Sequence, residues 1–232
     1  MEIIDLIKSF LKKYPEFYKW ILFFTSHIYF YGLSAKKAIK KAFPVGINNK
    51  KIINLGSGTT NLGENITNVD VHPYKNVDVV ADATNLPFES NSINMVISVS
   101  MLEHVPFPEK VIEEIKRILK PGGFIFIEMP FVFPFHGSPS DYTRFTIAGL
   151  KERFKEFKII KSGTRSGPIA ALVIQLMYIL ALLLSFGSKT LYSFWLSLFM
   201  LIFSPLKALD FLMMPFSRSE EAANHIFFFA QK

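Results

Sequence analysis

Ile52-Ile53-Asn54-Leu55-Gly56-Ser57-Gly58 is the stretch that decides the fold. Three large apolar residues around one Asn read as a short buried strand, and the Gly-x-Gly after it ends that strand abruptly. Glycines at the carboxyl end of a first strand let ligand atoms approach bare backbone. Two further apolar runs follow, each meeting an acid. Thr67-Asn68-Val69-Asp70-Val71 contains Asp70, and the run through Val77 and Val80 leads to Ala81-Asp82-Ala83. An acid after a second strand is placed to accept hydrogen bonds from ribose hydroxyls, and one after a third to receive an exocyclic amine. Singly, each Asp reads equally well as a turn or a cap. In order and at successive strand ends, they describe one ligand site.

The surrounding segment, residues 50–162, alternates strand and helix signals. Lys51–Leu55, Thr67–Val71, Val77–Val80, Ile93–Val99 and Phe124–Met129 are short runs rich in Val, Ile and Phe. Val111, Ile112, Ile115, Ile118 and Leu119 mark an amphipathic helix between the last two, stopped by Pro121-Gly122-Gly123. Ile147 to Phe154 predicts another helix and Phe157 to Ile160 a sixth strand. Apolar strands joined by crossovers imply an α/β fold with a parallel sheet covered by helices. About ten residues separate Gly56 from the second strand, so a full crossover helix there is reduced to a turn.

Leu86-Pro87-Phe88, Ser92-Ile93-Asn94-Met95-Val96-Ile97-Ser98, Leu102-Glu103-His104-Val105 and Arg117-Ile118-Leu119-Lys120-Pro121-Gly122-Gly123 extend the pattern. The whole series resembles the class I S-adenosylmethionine-dependent methyltransferases of the small-molecule and lipid-acting type. The resemblance implies a Rossmann-like seven-stranded sheet, S-adenosyl-L-methionine as cofactor and methyl donor, and a cofactor site at Asn54, Gly56, Ser57, Gly58, Asp70, Asp82, Ala83, Ser100 and Glu103. Three positions depart from the family pattern. Asn54 stands for the usual acid, Thr60 for the usual third glycine and Asn94 for a common Asp.

After the fifth strand comes a long aromatic stretch, Pro130 to Thr146, in the region where such sheets bind ligands. Its His-Gly…Asp-Tyr-x-Arg-Phe-Thr pattern resembles methyltransferases of glycan and lipid pathways. An oxygen acceptor must lose a proton before or during methyl transfer, and a His titrating near neutrality suits that task. His136 is the first candidate base and His104 the second. Asp141 and Arg144 either orient a polar acceptor or pair with each other to fix the loop. No His, Asp or Glu set has metal-ligand spacing along the chain, so no metal is expected.

Half of the 232 residues are hydrophobic and only 19% are charged, against roughly a quarter charged in an ordinary soluble domain. Pro168 to Phe186 and Leu191 to Leu206 are free of charge, joined by Gly187-Ser188-Lys189-Thr190. Lengths of this order suit a membrane-spanning or deeply docked helix, or a hydrophobic dimerisation hairpin. His225–Ala230 reads as the seventh strand, so the apolar segment, residues 163–222, is an insertion before the last strand. Its two ends return to one sheet; it crosses a bilayer twice or not at all. Pro205, Asp210 and Pro215 predict that the second arm breaks into interfacial pieces. Residues 1–49 form a basic, aromatic N-terminal helical segment; ten Lys against three acids lie in residues 1–51.

These features divide the chain into residues 1–49, a methyltransferase-like domain of 50–162 and 223–232, and the insertion of 163–222. They predict a membrane-associated enzyme with its catalytic domain in the cytoplasm, partnered by membrane lipids and a lipid, quinone-like or lipid-linked glycan acceptor. A soluble-substrate enzyme that docks on membranes, and a non-catalytic scaffold, remain alternatives. No cysteine is present, which excludes disulfides, thiolate ligands and a Cys nucleophile. The basic block is interleaved with long apolar runs, unlike a groove-binding surface, so nucleic acid is not an expected partner.

Overall fold

The computed structural model describes residues 31–137 and 140–232. The expectations for residues 1–30, including the first amphipathic run and most of the aromatic stretch from Trp20, lie outside the described residues. Two compact units are present. One comprises residues 32–131, 135–165 and 225–232, and the other includes 132–134 and 166–224.

The first unit is built on seven strands: β1 (Ile52–Leu55), β2 (Ile66–Asp70), β3 (Val79–Val80), β4 (Ile93–Val99), β5 (Leu119–Pro130), β6 (Lys158–Ser166) and β7 (His225–Gln231). Their order is β3-β2-β1-β4-β5-β7-β6. The pairs β3–β2, β2–β1, β1–β4 and β4–β5 are parallel, whereas β7 runs antiparallel to β5. The chain thus starts in the middle of the sheet, reverses direction at β1/β4, and returns β7 to an interior position.

Alternation decides which residues face which helix. On one face, Ile52, Ile66, Met95, Ile97, Phe126, Phe227 and Phe229 cluster with Ala35, Ala38 and Ile39 of helix α1 (Ala35–Ala42). Ser34 caps α1 by accepting from the Lys37 N–H. Phe228, on the opposite face of β7, stacks on Phe154 at 5.6 Å, just past helix α3 (Ile147–Arg153). Helix α2 (Pro108–Ile118) buries Val111, Ile112, Ile115 and Ile118 at the predicted spacing and starts on Pro108, whose fixed φ suits a first helical turn.

The expected stop at Pro121-Gly122-Gly123 is displaced. α2 ends at Ile118, and β5 begins immediately, pairing Leu119 with Ile93 before the register shifts and resumes at Phe124–Met95. Pro121-Gly122-Gly123 forms that irregularity, with Gly122 at φ +76° and its N–H donated to the Lys232 carbonyl. The link from β1 to β2 contains turns and no helix, as its length requires.

In the second unit, helices α4 (Pro168–Leu184) and α5 (Lys189–Phe203) form an apolar hairpin. Val173, Ile174, Met177, Ala181 and Phe199 form its core, and Trp195, Phe199 and Phe203 stack along α5. The second arm breaks where Pro205 predicts, passing into 3-10 turns over Ser204–Met213 and Ser217–Ala222. Asp210 folds back from those turns to cap α4. Its carboxylate accepts from the backbone N–H of Gly167 at 2.7 Å, Ile169 at 2.8 Å and Ala170 at 3.2 Å. The carboxylate is fully buried, so Asp210→Ala leaves three helix-start donors without it. A cost of about 3 kcal/mol is expected, read as a loss of thermal stability.

Candidate active site

The carboxyl ends of β1, β2 and β4 converge on a cavity of about 470 Å³. Gly56, Gly58, Asp70, Asp82, Ala83, Ser100 and His104 line it, together with Met101, Val71, His72, Tyr74 and Tyr142, which sequence reasoning missed. A hollow of about 820 Å³ near Lys50, Glu64 and Ile66 sits at the amino end of β2 and contains none of these groups. The cavity at the carboxyl ends is the candidate ligand site, because strand ends of this polarity and the topological switch at β1/β4 meet there.

Two glycines shape it. Gly56 has φ +69°, and a Cβ there would lie 2.1 Å from Met101 Cγ and 2.5 Å from Met101 Cβ. Gly56→Ala therefore combines a disfavoured backbone with a clash near the root of a side chain. A loss of roughly 2–4 kcal/mol of stability is expected by thermal denaturation. Gly58 also has positive φ, at +51°, but a Cβ there would meet nothing within 4 Å. Its bare face is open.

Asp70 ties the loop down. One carboxylate oxygen accepts from the Gly58 N–H at 2.8 Å and the other from the His72 N–H at 2.9 Å. Asp82 is held by Thr84, whose N–H and hydroxyl both donate to one oxygen at 2.8 Å, and these bonds lower its pKa. Asn54 does not line the cavity. Its amide donates to the Thr60 carbonyl at 3.3 Å and to Asn68 Oδ1 at 3.1 Å. Asn68 in turn donates to the Asn76 carbonyl, and the Asn76 amide donates to the carbonyls of Gly58 and Thr60. A ladder of three amides thus braces the glycine loop where no helix follows it. Ser57 is buried beside Gly58 with its hydroxyl on the Gly58 carbonyl.

Ser100, at the end of β4, has φ +48°, a strained position for a residue with a side chain. The turn that follows, Leu102–His104, buries Glu103 completely. Neither Glu103 carboxylate oxygen has a hydrogen-bond partner among the described residues. Burial pushes its pKa up to about 7, against the opposing pull of its own backbone amide and the Arg144 guanidinium.

The aromatic loop delivers His136 to the same place. His136 Nε2 lies 3.9 Å and His104 Nε2 3.8 Å from Glu103 Oε1, and the two imidazoles meet edge to face at 5.0 Å. His136 Nδ1 faces Asp141 Oδ2 at 3.2 Å, and His104 Nδ1 faces the Ser140 carbonyl at 2.6 Å. Asp141 also accepts from the His136 N–H at 3.0 Å and from both terminal nitrogens of Arg144. The Arg144 bonds hold the Asp141 pKa down at about 2. Asp141 and Arg144 thus pair and fix the loop, and Asp141 orients His136 in addition. The loop is further pinned by the Tyr142 N–H on the Glu103 carbonyl at 2.7 Å. Beneath this cluster, Glu128 is neutralised by Arg165 at 2.8 Å, and burial drives the His225 pKa down to about 3.

Comparison with known proteins bears on the fold. Residues 55–127 match the family described as methyltransferase domain. A ubiquinone biosynthesis O-methyltransferase of Paraburkholderia phymatum is 30% identical over 120 residues, which are 48% of this chain and 49% of that protein. A demethylmenaquinone methyltransferase of Clavibacter sepedonicus is 47% identical over 49 residues, 21% of this chain and 20% of that one. The chain therefore spans about half the length, or less, of these relatives. Among solved structures, phosphoethanolamine N-methyltransferase 2 of Haemonchus contortus, in complex with S-adenosyl-L-methionine, superposes with a TM-score of 0.52 at 20% identity. It covers 93% of this chain and 56% of that one. The sheet shares the fold of that solved structure, and residues 55–127 match the methyltransferase-domain family.

Proposed function

We propose that this protein is an S-adenosylmethionine-dependent methyltransferase that acts at a membrane on a lipid, quinone-like or lipid-linked glycan acceptor. The observation that carries the reading is the cavity where Gly56, Gly58, Asp70 and Asp82 converge beside the Glu103–His104–His136 cluster. The residues fit the cofactor: Gly58 presents open backbone, and both Asp70 and Asp82 keep lone pairs beyond those used by the loop. When bound, S-adenosylmethionine supplies a methyl group on a sulfonium centre.

The protein's own share is placement. Asp70 holds ribose hydroxyls and Asp82 the adenine amine, while Gly56 and Gly58 admit the cofactor against the backbone. The His104–His136 side receives the acceptor and manages its proton. Alignment of two reactants in a closed site supplies much of the rate of such a displacement. Relatives named for ubiquinone and menaquinone methylation support an apolar, oxygen-bearing acceptor.

The hairpin supports the membrane part. Lys189–Met213 is long and apolar enough to cross a membrane, with a mean hydropathy of 1.7, and Pro168–Leu184 is a shorter apolar helix. Leu172, Leu182, Leu183 and Phe186 are exposed, Phe186 by 86%, where a soluble surface would carry polar groups. The buried Asp210 and the break at Ser204 favour an arm that lies in the interface.

Radiolabelled methyl donor incubated with the protein and membranes is expected to label the lipid extract; label found in neither lipid nor glycan would overturn the acceptor class. Exchanging Leu182, Leu183 and Phe186 for Glu is expected to cut flotation with anionic phospholipid vesicles by at least about tenfold. Affinity for S-adenosylmethionine is expected to stay unchanged in that variant, and undiminished flotation would remove the hairpin from the reading.

A further inference from the structure

The edge of the sheet that holds the cavity is also the apolar edge of the first unit. Val71 and Tyr74 follow β2, Phe107 follows β4, and Phe135 and Tyr142 follow β5. All five side chains are exposed, Phe107 by 60% and Phe135 by 71%. Among the described residues of this unit, the other exposed large apolar side chains are Val80, at the end of β3, and Val45 and Ile159. Val71, Tyr74 and Tyr142 line the cavity, as do Val105 and Pro106 just before Phe107. The cavity therefore opens through an apolar, largely aromatic rim.

The rim is held outward by its own backbone. The Tyr74 N–H donates to the His72 carbonyl at 2.9 Å, the Lys110 N–H to the Phe107 carbonyl at 3.1 Å, and the Tyr142 N–H to the Glu103 carbonyl at 2.7 Å. Apolar groups fixed in water around a binding cavity mark a surface that is covered in use. Charge says by what. Lys110 sets its ammonium over the Phe107 ring at 5.2 Å, and Lys75 follows Tyr74; both are exposed. The neighbouring Glu109 is taken by Arg153 at 2.6 Å, and neither lysine has an ion-pair partner among the described residues. Aromatic rings interleaved with free lysines suit the headgroup layer of an anionic leaflet.

The path of the chain agrees. Arg165, near the end of β6, pairs at 2.8 Å with Glu128, close to the carboxyl end of β5. His225, the first residue of β7, pairs with Pro130, the last of β5. The chain leaves for the apolar hairpin and comes back from it at the edge that carries the rim.

We infer that Val71, Tyr74, Phe107, Phe135 and Tyr142, with Lys75 and Lys110, dock the mouth of the cavity on one leaflet of an anionic phospholipid bilayer. The aromatic rings sit at headgroup depth and the two ammonium groups meet lipid phosphates. An acceptor whose polar head lies in that layer then enters the cavity while its apolar tail stays in the leaflet. The inference deepens the membrane reading and rests on it; the test separates the two.

The chain has no cysteine, so single cysteines placed in the full-length protein carry one fluorescent maleimide each. Phe107→Cys and Phe135→Cys report on the rim, Leu182→Cys on the hairpin, and Asn48→Cys on the opposite edge of the sheet. Each is mixed with vesicles of phosphatidylglycerol and phosphatidylcholine whose acyl chains bear a nitroxide quencher. The two rim labels are expected to lose at least about half of their fluorescence, and the Asn48 label less than about a tenth. Rim labels that stay bright while the Leu182 label is quenched would overturn the docked edge and leave the hairpin on the membrane. Quenched rim labels beside a bright Leu182 label would keep the docked edge and remove the hairpin. No quenching at any position overturns both. Lys75→Gln with Lys110→Gln is expected to lower quenching of the rim labels severalfold in these vesicles, and equal quenching with vesicles of phosphatidylcholine alone would strike the lysines from the surface.

Discussion

Asp70→Ala is expected to bind S-adenosylmethionine at least about 100-fold more weakly than wild type in a calorimetric titration, and Asp70→Asn to fall between the two. The reasoning starts from what the carboxylate already does. It accepts from the Gly58 and His72 N–H groups, so its charge is oriented before any ligand arrives. Two charge-assisted hydrogen bonds to ligand hydroxyls would each contribute roughly 1.5–3 kcal/mol, and losing both corresponds to about two to four powers of ten in affinity. Removal also releases the Gly58 N–H and loosens the loop that the cofactor must approach. Asn keeps one acceptor oxygen, which is why it retains part of the affinity. An Asp70→Ala protein with wild-type affinity would mean that the cavity holds a different ligand.

Glu103→Gln is expected to raise the thermal stability of the protein at pH 8, and the gain is expected to vanish toward pH 4.5. In the unfolded chain this carboxyl titrates near its ordinary 4.5, and in the folded protein near 7. Below pH 4.5 it is protonated in both states and contributes nothing to pH dependence. Between pH 4.5 and 7 the folded state binds the additional proton, so stability falls as pH rises. Above pH 7 the whole cost of the buried charge is present, about 3 kcal/mol for a shift of this size. Gln carries no charge at any pH. The difference between the proteins corresponds to roughly 6–12 °C in melting temperature at pH 8 for a domain of this size. His225 acts in the opposite sense. Its folded pKa of about 3 lies below the ordinary 6.5, so its contribution is complete above pH 6.5 and is lost as pH falls toward 3. Because both proteins keep His225, the comparison isolates Glu103. Equal melting temperatures at pH 8 would show that the Glu103 charge is compensated within the folded protein.

Much of this was legible in the sequence because short-range rules governed it. Apolar strands ending at Gly56, Asp70 and Asp82 gave the sheet and its ligand edge, and the 3.6-residue spacing of Val111, Ile112, Ile115 and Ile118 gave α2. Pro205 marked the break in the second arm. What stayed hidden depended on distance along the chain. Glu103 and His136 are 33 residues apart, and no sequence spacing links them until the end of β4 and the aromatic loop are side by side. Asn54 reads in the sequence as a departure from the usual acid, and nothing there ties it to Asn68 and Asn76, yet together the three brace the loop that the absent crossover helix would have supported. The strain at Ser100 is a backbone property that residue type does not announce.

The interior placement of β7 also sets a schedule. β7 follows every other strand in the chain, yet it occupies the slot between β5 and β6, paired through Ile125–Ala230, Phe126–Phe229 and Ile127–Phe228. During synthesis the apolar edge of β5 therefore waits, unpaired, while the whole of the α4–α5 hairpin is made. An open edge of Ile and Phe is a template for wrong partners. Its protection is a matter of time as much as of structure: the sheet is safe only once the chain has come back from its excursion.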